Sequence, residues 1–172
     1  EARPALAHIR QAAHSRQRSA TAVLHAALTR IAAITPHTYQ DPPIVGSPAP
    51  LSYYAAIVAP AGLGKSSANS IACELVPAPD HVVDQLPVGS GEGLIEQLFE
   101  QKEELDAEGA TRVVKKQTKH QVAVFVDEGQ VLAEIGGRSG STLLPTLQST
   151  RSGRRAGLHV APSQSRFRAG HP

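Results

Sequence analysis

The chain has 172 residues, of which 41% are hydrophobic and 19% are charged, and its formal net charge is +2. This composition is ordinary for a soluble globular protein, and the charge is too small to indicate nucleic-acid binding by itself. No apolar run is long enough to cross a bilayer and no signal peptide opens the chain, so we expect a cytoplasmic protein without membrane contact. Cys73 is the single cysteine, which excludes an internal disulfide. Methionine is absent and the chain starts at Glu1, which leads us to expect a piece of a longer protein.

Residues 1–35 predict a helical region, because apolar residues recur there at helical spacing. Ser19 or Thr21 is expected to cap the second of its helices. We interpret the arginines of this region as the solvated face of a packed helical pair rather than as a surface for DNA or for a neighbouring subunit. These arginines are Arg3, Arg10, Arg16, Arg18 and Arg30. Residues 36–52 contain five prolines and predict a linker.

The stretch around which the chain is organised reads YYAAIVAPAGLGKSS, at residues 53–67. The apolar run 53–59 predicts a buried strand, which a glycine-rich turn and a helix follow. This order is the layout of a phosphate-binding loop, G-x-x-x-x-G-K-[ST], except that Ala59 replaces the first glycine. We expect the loop to tolerate this small methyl group. The predicted nucleotide-binding residues are Ala59, Pro60, Ala61, Gly62, Leu63, Gly64, Lys65, Ser66 and Ser67.

Each part of this motif has a chemical role. Gly62 and Gly64 let phosphate oxygens approach the backbone and can adopt positive φ angles. The backbone N–H groups of residues 61–66 would face one concavity at the start of a helix, where an anion is favoured. Lys65 would place its ammonium on the β- and γ-phosphates of ATP, and Ser66 would offer its hydroxyl to Mg²⁺. The motif therefore predicts a site for ATP and Mg²⁺.

A second motif, VAVFVDE, lies at residues 122–128. Its apolar run predicts a central strand of a parallel sheet, buried on both faces. The carboxylates that follow would lie at the carboxyl edge of the sheet, where open α/β folds bind ligands. Asp127 is predicted to hold Mg²⁺, directly or through water, and Glu128 to orient or deprotonate the attacking water. Glu128 and Lys65 are thus the predicted catalytic residues of a P-loop nucleotide-binding domain over residues 53–150.

The segments between the two motifs give weaker indications. Residues 66–75 predict a helix, residues 81–86 a short strand, and residues 92–108 a polar helix. The glycine-rich segment 89–93 is either a second anion site or a flexible helix entry capped by Ser90. These alternatives stay open at the level of the sequence.

The remaining segments carry most of the exposed basic charge. Residues 111–120 predict an exposed strand or hairpin, whose lysines either contact phosphates or prevent aggregation of an edge strand. Short helices are predicted at residues 129–135 and 142–150, separated by a glycine-rich loop that includes an arginine. The basic tail, residues 151–172, is interpreted as a disordered, truncated end, with an arginine finger for a neighbouring subunit as the alternative.

Several stretches together resemble one family. They are ARPALAHI (2–9), PPIVG (42–46), the glycine-rich loop, GSGEGL (89–94), VDE (126–128) and GRSGSTLLPTLQSTRSG (137–153). They are similar to uncharacterised P-loop ATPases of actinobacterial genomes, prophages and plasmids, which are related to the helicase part of primase–helicase proteins. In such proteins the segment that contains Arg138 and Ser141 recurs without an established role.

This resemblance implies an α/β fold of the P-loop NTPase (RecA-like) class, with a three-layer parallel sheet preceded by a small helical region. It also implies a helicase-type motor that hydrolyses ATP on DNA, as a ring of identical subunits, in the replication of a mobile element. Carried over by position, Lys65 and Ser66 would bind phosphate and Mg²⁺, and Asp127 and Glu128 would form the acidic pair.

The chain also departs from the family pattern. We expect it to stop near the next core strand, which in the family carries a polar sensor residue, so the domain would be incomplete. The alternative function is therefore a nucleotide-dependent switch or assembly module with little hydrolysis. A small-molecule kinase is disfavoured, because Glu128 suits the activation of water better than phosphorylation of a substrate.

Overall fold

The computed structural model describes residues 3–36, 38–44, 46, 48–60, 62–105 and 111–151. Across these residues the chain is a mixed α/β structure with several helices and a small parallel sheet. In the same ranges no helix is both long enough and apolar enough to pass through a membrane. The predicted basic tail lies outside the described residues.

Two helices form the N-terminal part, α1 (Pro4–Ser15) and α2 (Ala20–Ile34). Pro4 begins α1, where its restricted φ suits the first turn and its missing N–H would have no partner anyway. Ser19 caps α2, because its hydroxyl accepts a hydrogen bond from the backbone N–H of Ala22 at 3.3 Å. The predicted helical periodicity is therefore confirmed, as is the predicted cap at Ser19.

The first strands are a minimal ladder inside the proline-rich segment, where β1 (Gln40–Asp41) pairs antiparallel with β2 (Ala49–Pro50). Helix α3 (Lys65–Leu75) follows the glycine-rich loop, and β3 (Val82–Pro87) follows α3. Both lie where the sequence predicts them, and the other described residues between 36 and 52 belong to no helix or strand.

The prediction of a polar helix over residues 92–108 is wrong beyond Glu96. Helix α4 (Gly91–Glu96) is short, and β4 (Phe99–Leu105) pairs antiparallel with β5 (Thr111–Gln117). An acidic run at a helix C-terminus would oppose the helix dipole. In the hairpin the same carboxylates face cations across the strands, with Glu100 opposite Lys116.

The last elements are β6 (Gln121–Phe125), α5 (Gly129–Gly136) and α6 (Leu143–Arg151), all close to the predicted positions. Strand β6 pairs parallel with β3, with Val83 opposite Val122 and Leu86 opposite Val124. The register shifts between these pairs, which places one extra residue in β3 and makes a β-bulge.

The predicted strand at residues 53–59 is not formed, and its predicted burial is wrong. No strand among the described residues pairs with it, so the side of the segment that faces away from the helices lies in solvent, and Val58 is 93% exposed. Only its other side is covered, because Ile57 packs on the alanines of α2 and α3. An apolar run is buried on both faces only when strands flank it.

The same limit applies to β6, which the sequence predicts as a central strand buried on both faces. Among the described residues it pairs with β3 alone. Its side chains are mostly half-buried, and Val124 is 36% exposed. The parallel direction and the position of this strand are confirmed, and its complete burial is not.

The core lies where α1, α2 and α3 meet. Ala13, Val23, Ala68 and Ile71 form one buried cluster, and a second cluster joins the alanines Ala26, Ala27 and Ala72. Alanine lets helix backbones approach closely, which suits a chain in which aromatic residues are only 3%. The N-terminal helices therefore pack directly on the helix that follows the glycine-rich loop.

A buried arginine connects these helices to the sheet. The side chain of Arg30 in α2 is 4% exposed, and its two terminal nitrogens donate to the carboxylate of Asp84 at 2.8 and 2.9 Å. Its Nε donates to the backbone oxygen of Val76, just past α3, at 2.6 Å. Hydrogen bonding to Asp84 raises the pKa of Arg30, so the guanidinium stays charged. The interpretation of the N-terminal arginines as a solvated face is therefore wrong for Arg30.

We expect Arg30→Ala to lower the free energy of unfolding by about 3 kcal/mol, because it removes a buried side chain whose charge-assisted hydrogen bonds join α2 to Asp84 and to the backbone oxygen of Val76. Urea denaturation measures this change. Arg16→Ala is the matched control, since Arg16 pairs with Glu74 at an exposed site and its loss should cost at most about 0.5 kcal/mol. Equal losses in the two variants would contradict the assigned role of Arg30.

Burial raises the pKa of the Cys73 thiol above its ordinary value, although Arg30 opposes this shift. We therefore expect the rate of alkylation by iodoacetamide to rise at higher pH in the folded protein than in urea. Because the folded state holds the thiol proton more tightly, the associated stability is present below the ordinary thiol pKa and is lost as pH rises through the folded pKa. The same pH midpoint in both states would contradict this expectation.

Candidate functional site

Two segments far apart in the sequence meet at the N-terminus of α3. The hydroxyl of Ser66 donates to the carboxylate of Asp127 with an oxygen–oxygen distance of 2.6 Å. Ser66 is the second residue of α3, the helix after the glycine-rich loop, and Asp127 follows β6 at its carboxyl end. The structure thus brings together the hydroxyl and the carboxylate that the sequence assigns to one cation.

The glycine-rich loop, residues 59–66, has the backbone conformation that its glycines predict. Gly62 has a φ of 82° and Gly64 a φ of 76°, both in the left-handed region that disfavours other residues. Gly64 is the N-cap of α3 and gives the helix no side-chain hydrogen bond. The first N–H groups of α3 are therefore available to an anion. Ala61, one of the predicted binding residues, lies outside the described residues.

Lys65 lies across this loop. Its ammonium donates to the backbone oxygen of Ala59 at 3.0 Å, and its side chain is half-buried. The residue at the position of the first motif glycine therefore meets the lysine through its backbone, a contact that does not depend on its side chain. Leu63 is 62% exposed at the tip of the loop and makes no contribution to the core.

Glu128 is the N-cap residue of α5, directly after Asp127. Both residues are exposed, and the carboxylate of Glu128 makes no hydrogen bond or ion pair with the part of the chain that the structure describes. Glu128 is thus an accessible hydrogen-bond acceptor that directly follows Asp127.

Ser66 and Asp127 supply two oxygen atoms suited to Mg²⁺. The residues described include no group of three or more His, Cys, Asp or Glu side chains that could hold a metal by themselves. Mg²⁺ commonly binds one or two protein oxygens and completes its shell with water and substrate phosphates. The hydroxyl of Ser66 and the carboxylate of Asp127 fit this way of binding Mg²⁺ through two protein oxygens.

One residue at the loop was missed at the level of the sequence. Arg18, in the turn between α1 and α2, lies against Gly64, because a Cβ built on that glycine would come within 2.5 Å of the arginine Nε. This Nε is buried and has no hydrogen-bond partner among the described residues. The solvated face predicted for the arginines is therefore wrong for Arg18 also. No motif signals this contact, since it joins segments 46 positions apart only through packing.

The two further glycine-rich segments of the chain form a second surface. Ser90 caps α4 through the N–H of Gly93 at 3.0 Å, as the helix-entry interpretation predicts. Thr142 donates to the carboxylate of Glu92 at 2.6 Å, and this hydrogen bond lowers the pKa of Glu92. A cavity of about 380 Å³ lies between the segments and is lined in part by Arg138. The sequence predicts both segments but not that they meet.

The exposed hairpin of β4 and β5 pairs its charges internally. Lys116 lies 3.6 Å from Glu104, and Lys115 pairs with Glu96 from α4. All four side chains are about half exposed, so each pair contributes little stability. Because the acidic strand offsets the basic one, phosphate binding by this hairpin gains no support from the structure.

Comparisons with known protein families, with curated proteins and with solved structures give no match to this chain. The resemblance to the P-loop ATPases of mobile elements therefore stays a prediction. The functional interpretation depends on the contacts made by the glycine-rich loop and by the acidic pair.

We expect Gly64→Ala to destabilise the protein more than Gly62→Ala. Both substitutions place a methyl group at a positive φ, which costs about 1 kcal/mol. At Gly62 the new Cβ meets nothing within 4 Å, whereas at Gly64 it collides with Arg18. Urea denaturation of the two variants measures the difference, and equal midpoints would show that Arg18 does not rest on the loop in solution.

Proposed function

We propose that this chain binds ATP with Mg²⁺ through the glycine-rich loop and hydrolyses it with the help of the acidic pair Asp127 and Glu128. The observation that carries this proposal is the 2.6 Å hydrogen bond between Ser66 and Asp127. It joins a helix N-terminus to the carboxyl end of a parallel strand, and ligands of open α/β sheets bind at that edge.

The proposal assigns phosphate binding to the loop. Its left-handed glycines and the uncapped start of α3 provide backbone donors for the phosphate oxygens. In the structure Lys65 donates to a neutral backbone oxygen. A phosphate oxygen is the stronger acceptor for an ammonium, so the lysine would transfer from Ala59 to the β- and γ-phosphates when ATP binds.

The two carboxylates of the acidic pair would have different roles. Ser66 and Asp127 would hold Mg²⁺, which would supply positive charge against the charge that develops during phosphoryl transfer. Glu128 would accept a hydrogen bond from the attacking water and align it with the γ-phosphate. Its exposure and the absence of a bonded partner among the described residues leave it accessible to that water.

The finer assignment is a RecA-like P-loop NTPase of three layers that works as a helicase-type motor on DNA. The ring of identical subunits and the role in replication of a mobile element belong to the same assignment. Its support is the resemblance of the glycine-rich loop, the acidic pair and the segment around Arg138 to the ATPases of prophages and plasmids. The geometry by itself supports nucleotide binding.

A second candidate is a nucleotide-dependent switch or assembly module with little hydrolysis. Two observations favour it. The apolar segment before the loop has no paired strand among the described residues, which leaves the loop less firmly supported than in a complete sheet. Glu128 likewise has no described side chain that would hold its carboxylate in one orientation. Both features make the positions of the loop and of the Glu128 carboxylate less precise, and activation of water depends on precise positioning.

We expect ATP hydrolysis that single-stranded DNA stimulates and that Lys65→Ala and Glu128→Gln abolish. Loss of the charged contact from Lys65 should weaken ATP binding by about 2 kcal/mol. Loss of the general base should lower the turnover rate at least about 100-fold while ATP still binds. Release of inorganic phosphate measures the rate, and calorimetry measures binding.

Lys102→Ala and Glu134→Gln are the matched controls, because both residues are exposed and lie on β4 and α5, away from the Ser66–Asp127 contact. They should leave the rate and the ATP affinity unchanged. ATP binding through Lys65 without phosphate release would select the switch module. If the wild-type chain bound no ATP at all, the proposed function would be wrong.

A further inference from the structure

We propose that Arg18 is a phosphate-binding residue of this site, which adds a second cation to the one that Lys65 provides. The inference rests on the proposed function, and it extends the site to a turn that carries no nucleotide-binding motif. The ligand group that Arg18 would recognise is a chain of two or more phosphates. Through Arg18 the N-terminal helices would take part directly in nucleotide binding.

The first observation is the position of the guanidinium. A Cβ built on Gly64 would lie 2.5 Å from the Nε of Arg18, 2.6 Å from its Cδ and 2.9 Å from its Cζ. The arginine therefore lies over the residue that immediately precedes Lys65 and that begins α3. Any anion bound by the N-terminal N–H groups of α3 would be within reach of this charge.

The second observation is that the Nε of Arg18 has no hydrogen-bond acceptor among the described residues. Its Nε is buried without an acceptor among the described residues, and its one hydrogen bond there runs from Nη1 to the backbone oxygen of Gln17 at 3.2 Å. A guanidinium has five N–H donors and prefers the paired oxygens of a carboxylate or a phosphate. An unsatisfied buried donor costs stability, and a phosphate oxygen would satisfy it.

The third observation is the strained turn that presents Arg18. Gln17 has a φ of 54°, a left-handed conformation that residues other than glycine seldom adopt. Backbone bonds from Gln17 to the oxygen of His14, at 3.0 Å, and from Arg18 to the oxygen of Ala13, at 2.9 Å, hold the turn. Strain of this kind is kept where the surrounding structure requires one geometry, often at functional sites.

The core fixes this turn relative to the loop. Ala13, at the end of α1, is fully buried and belongs to the same cluster as Ala68, which lies one turn after Gly64 in α3. The backbone of Arg18 is therefore held beside Gly64 by packed helices rather than by a free loop. A fixed backbone favours binding, because only the arginine side chain must be ordered when a ligand arrives.

Arg16 provides the contrast within the same turn. It is exposed and pairs with Glu74 on α3, so its charge already has a carboxylate partner. Arg18 has no carboxylate partner among the described residues. The difference indicates that Arg16 attaches α1 to α3, whereas Arg18 is available for an external anion.

Calorimetric titration with Mg²⁺-ATP and with inorganic tripolyphosphate tests the proposal on four proteins: wild type, Arg18→Met, Arg16→Met and Lys65→Ala. Methionine keeps an apolar stem but removes the donors and the charge. We expect Arg18→Met to weaken both ligands about tenfold or more, as expected for one charge-assisted contact. Arg18→Lys should recover part of the loss, and Arg16→Met should stay within about twofold of the wild type.

Thermal unfolding without ligand separates phosphate binding from a structural role. If Arg18 binds phosphate, Arg18→Met should not lower the melting temperature, since it removes a buried donor that lacks a partner. A lower melting temperature together with unchanged ATP affinity would overturn the inference and make Arg18 a structural residue. ATP binding that Lys65→Ala weakens and Arg18→Met does not would overturn this inference alone. Failure of the wild type to bind either ligand would overturn the proposed function as well.

Discussion

The ion pair between the buried Arg30 and the partly exposed Asp84 is the interaction on which the arrangement of this chain depends. A charge removed from water is tolerated only when its donors are satisfied, and Arg30 meets both carboxylate oxygens and the backbone oxygen of Val76. The bulge in β3 lies at Asp84, and a bulge redirects the side chains near it. Through these contacts α2 is joined to β3, and β3 in turn pairs with β6. These contacts therefore connect the helices that pack on α3 to the strand that precedes Asp127.

The candidate site combines features that cost stability elsewhere in proteins. It has left-handed glycines, an uncapped helix start, an exposed carboxylate at Glu128 and a buried arginine nitrogen without a described acceptor. The strained backbone of Gln17 lies beside it. Departures from local rules that gather at one place are typical of sites that a ligand completes. The oxygens of a polyphosphate would satisfy two of them, the uncapped helix start and the buried arginine nitrogen, which is the physical basis of the proposed function.

Much of this chain is determined by local sequence. The spacing of apolar residues predicts α1 and α2, and the hydroxyls of Ser19 and Ser90 predict the caps of α2 and α4 because each contact spans only three residues. The glycines of the loop predict positive φ angles for the same reason. The two motifs also predict the contact between Ser66 and Asp127, since carboxyl ends of parallel strands and the helices that follow them meet at one edge. The local pattern predicted the wrong secondary structure for residues 99–105. Acidic side chains are compatible there with a helix or with a strand, and pairing with β5 made the segment a strand.

The sequence by itself determined the helices, their caps, the conformation of the glycine-rich loop and the identity of the residues that meet beside it. Only the tertiary structure decided which charges are buried, because burial depends on what packs nearby rather than on neighbours in the chain. It placed Arg30 in the interior and Arg18 against Gly64, although both belong to an arginine set that reads as a solvated face. In the tertiary structure no described strand pairs with residues 53–59. An apolar run indicates a preference for burial, but burial on both faces requires neighbouring strands, which the run itself does not contain.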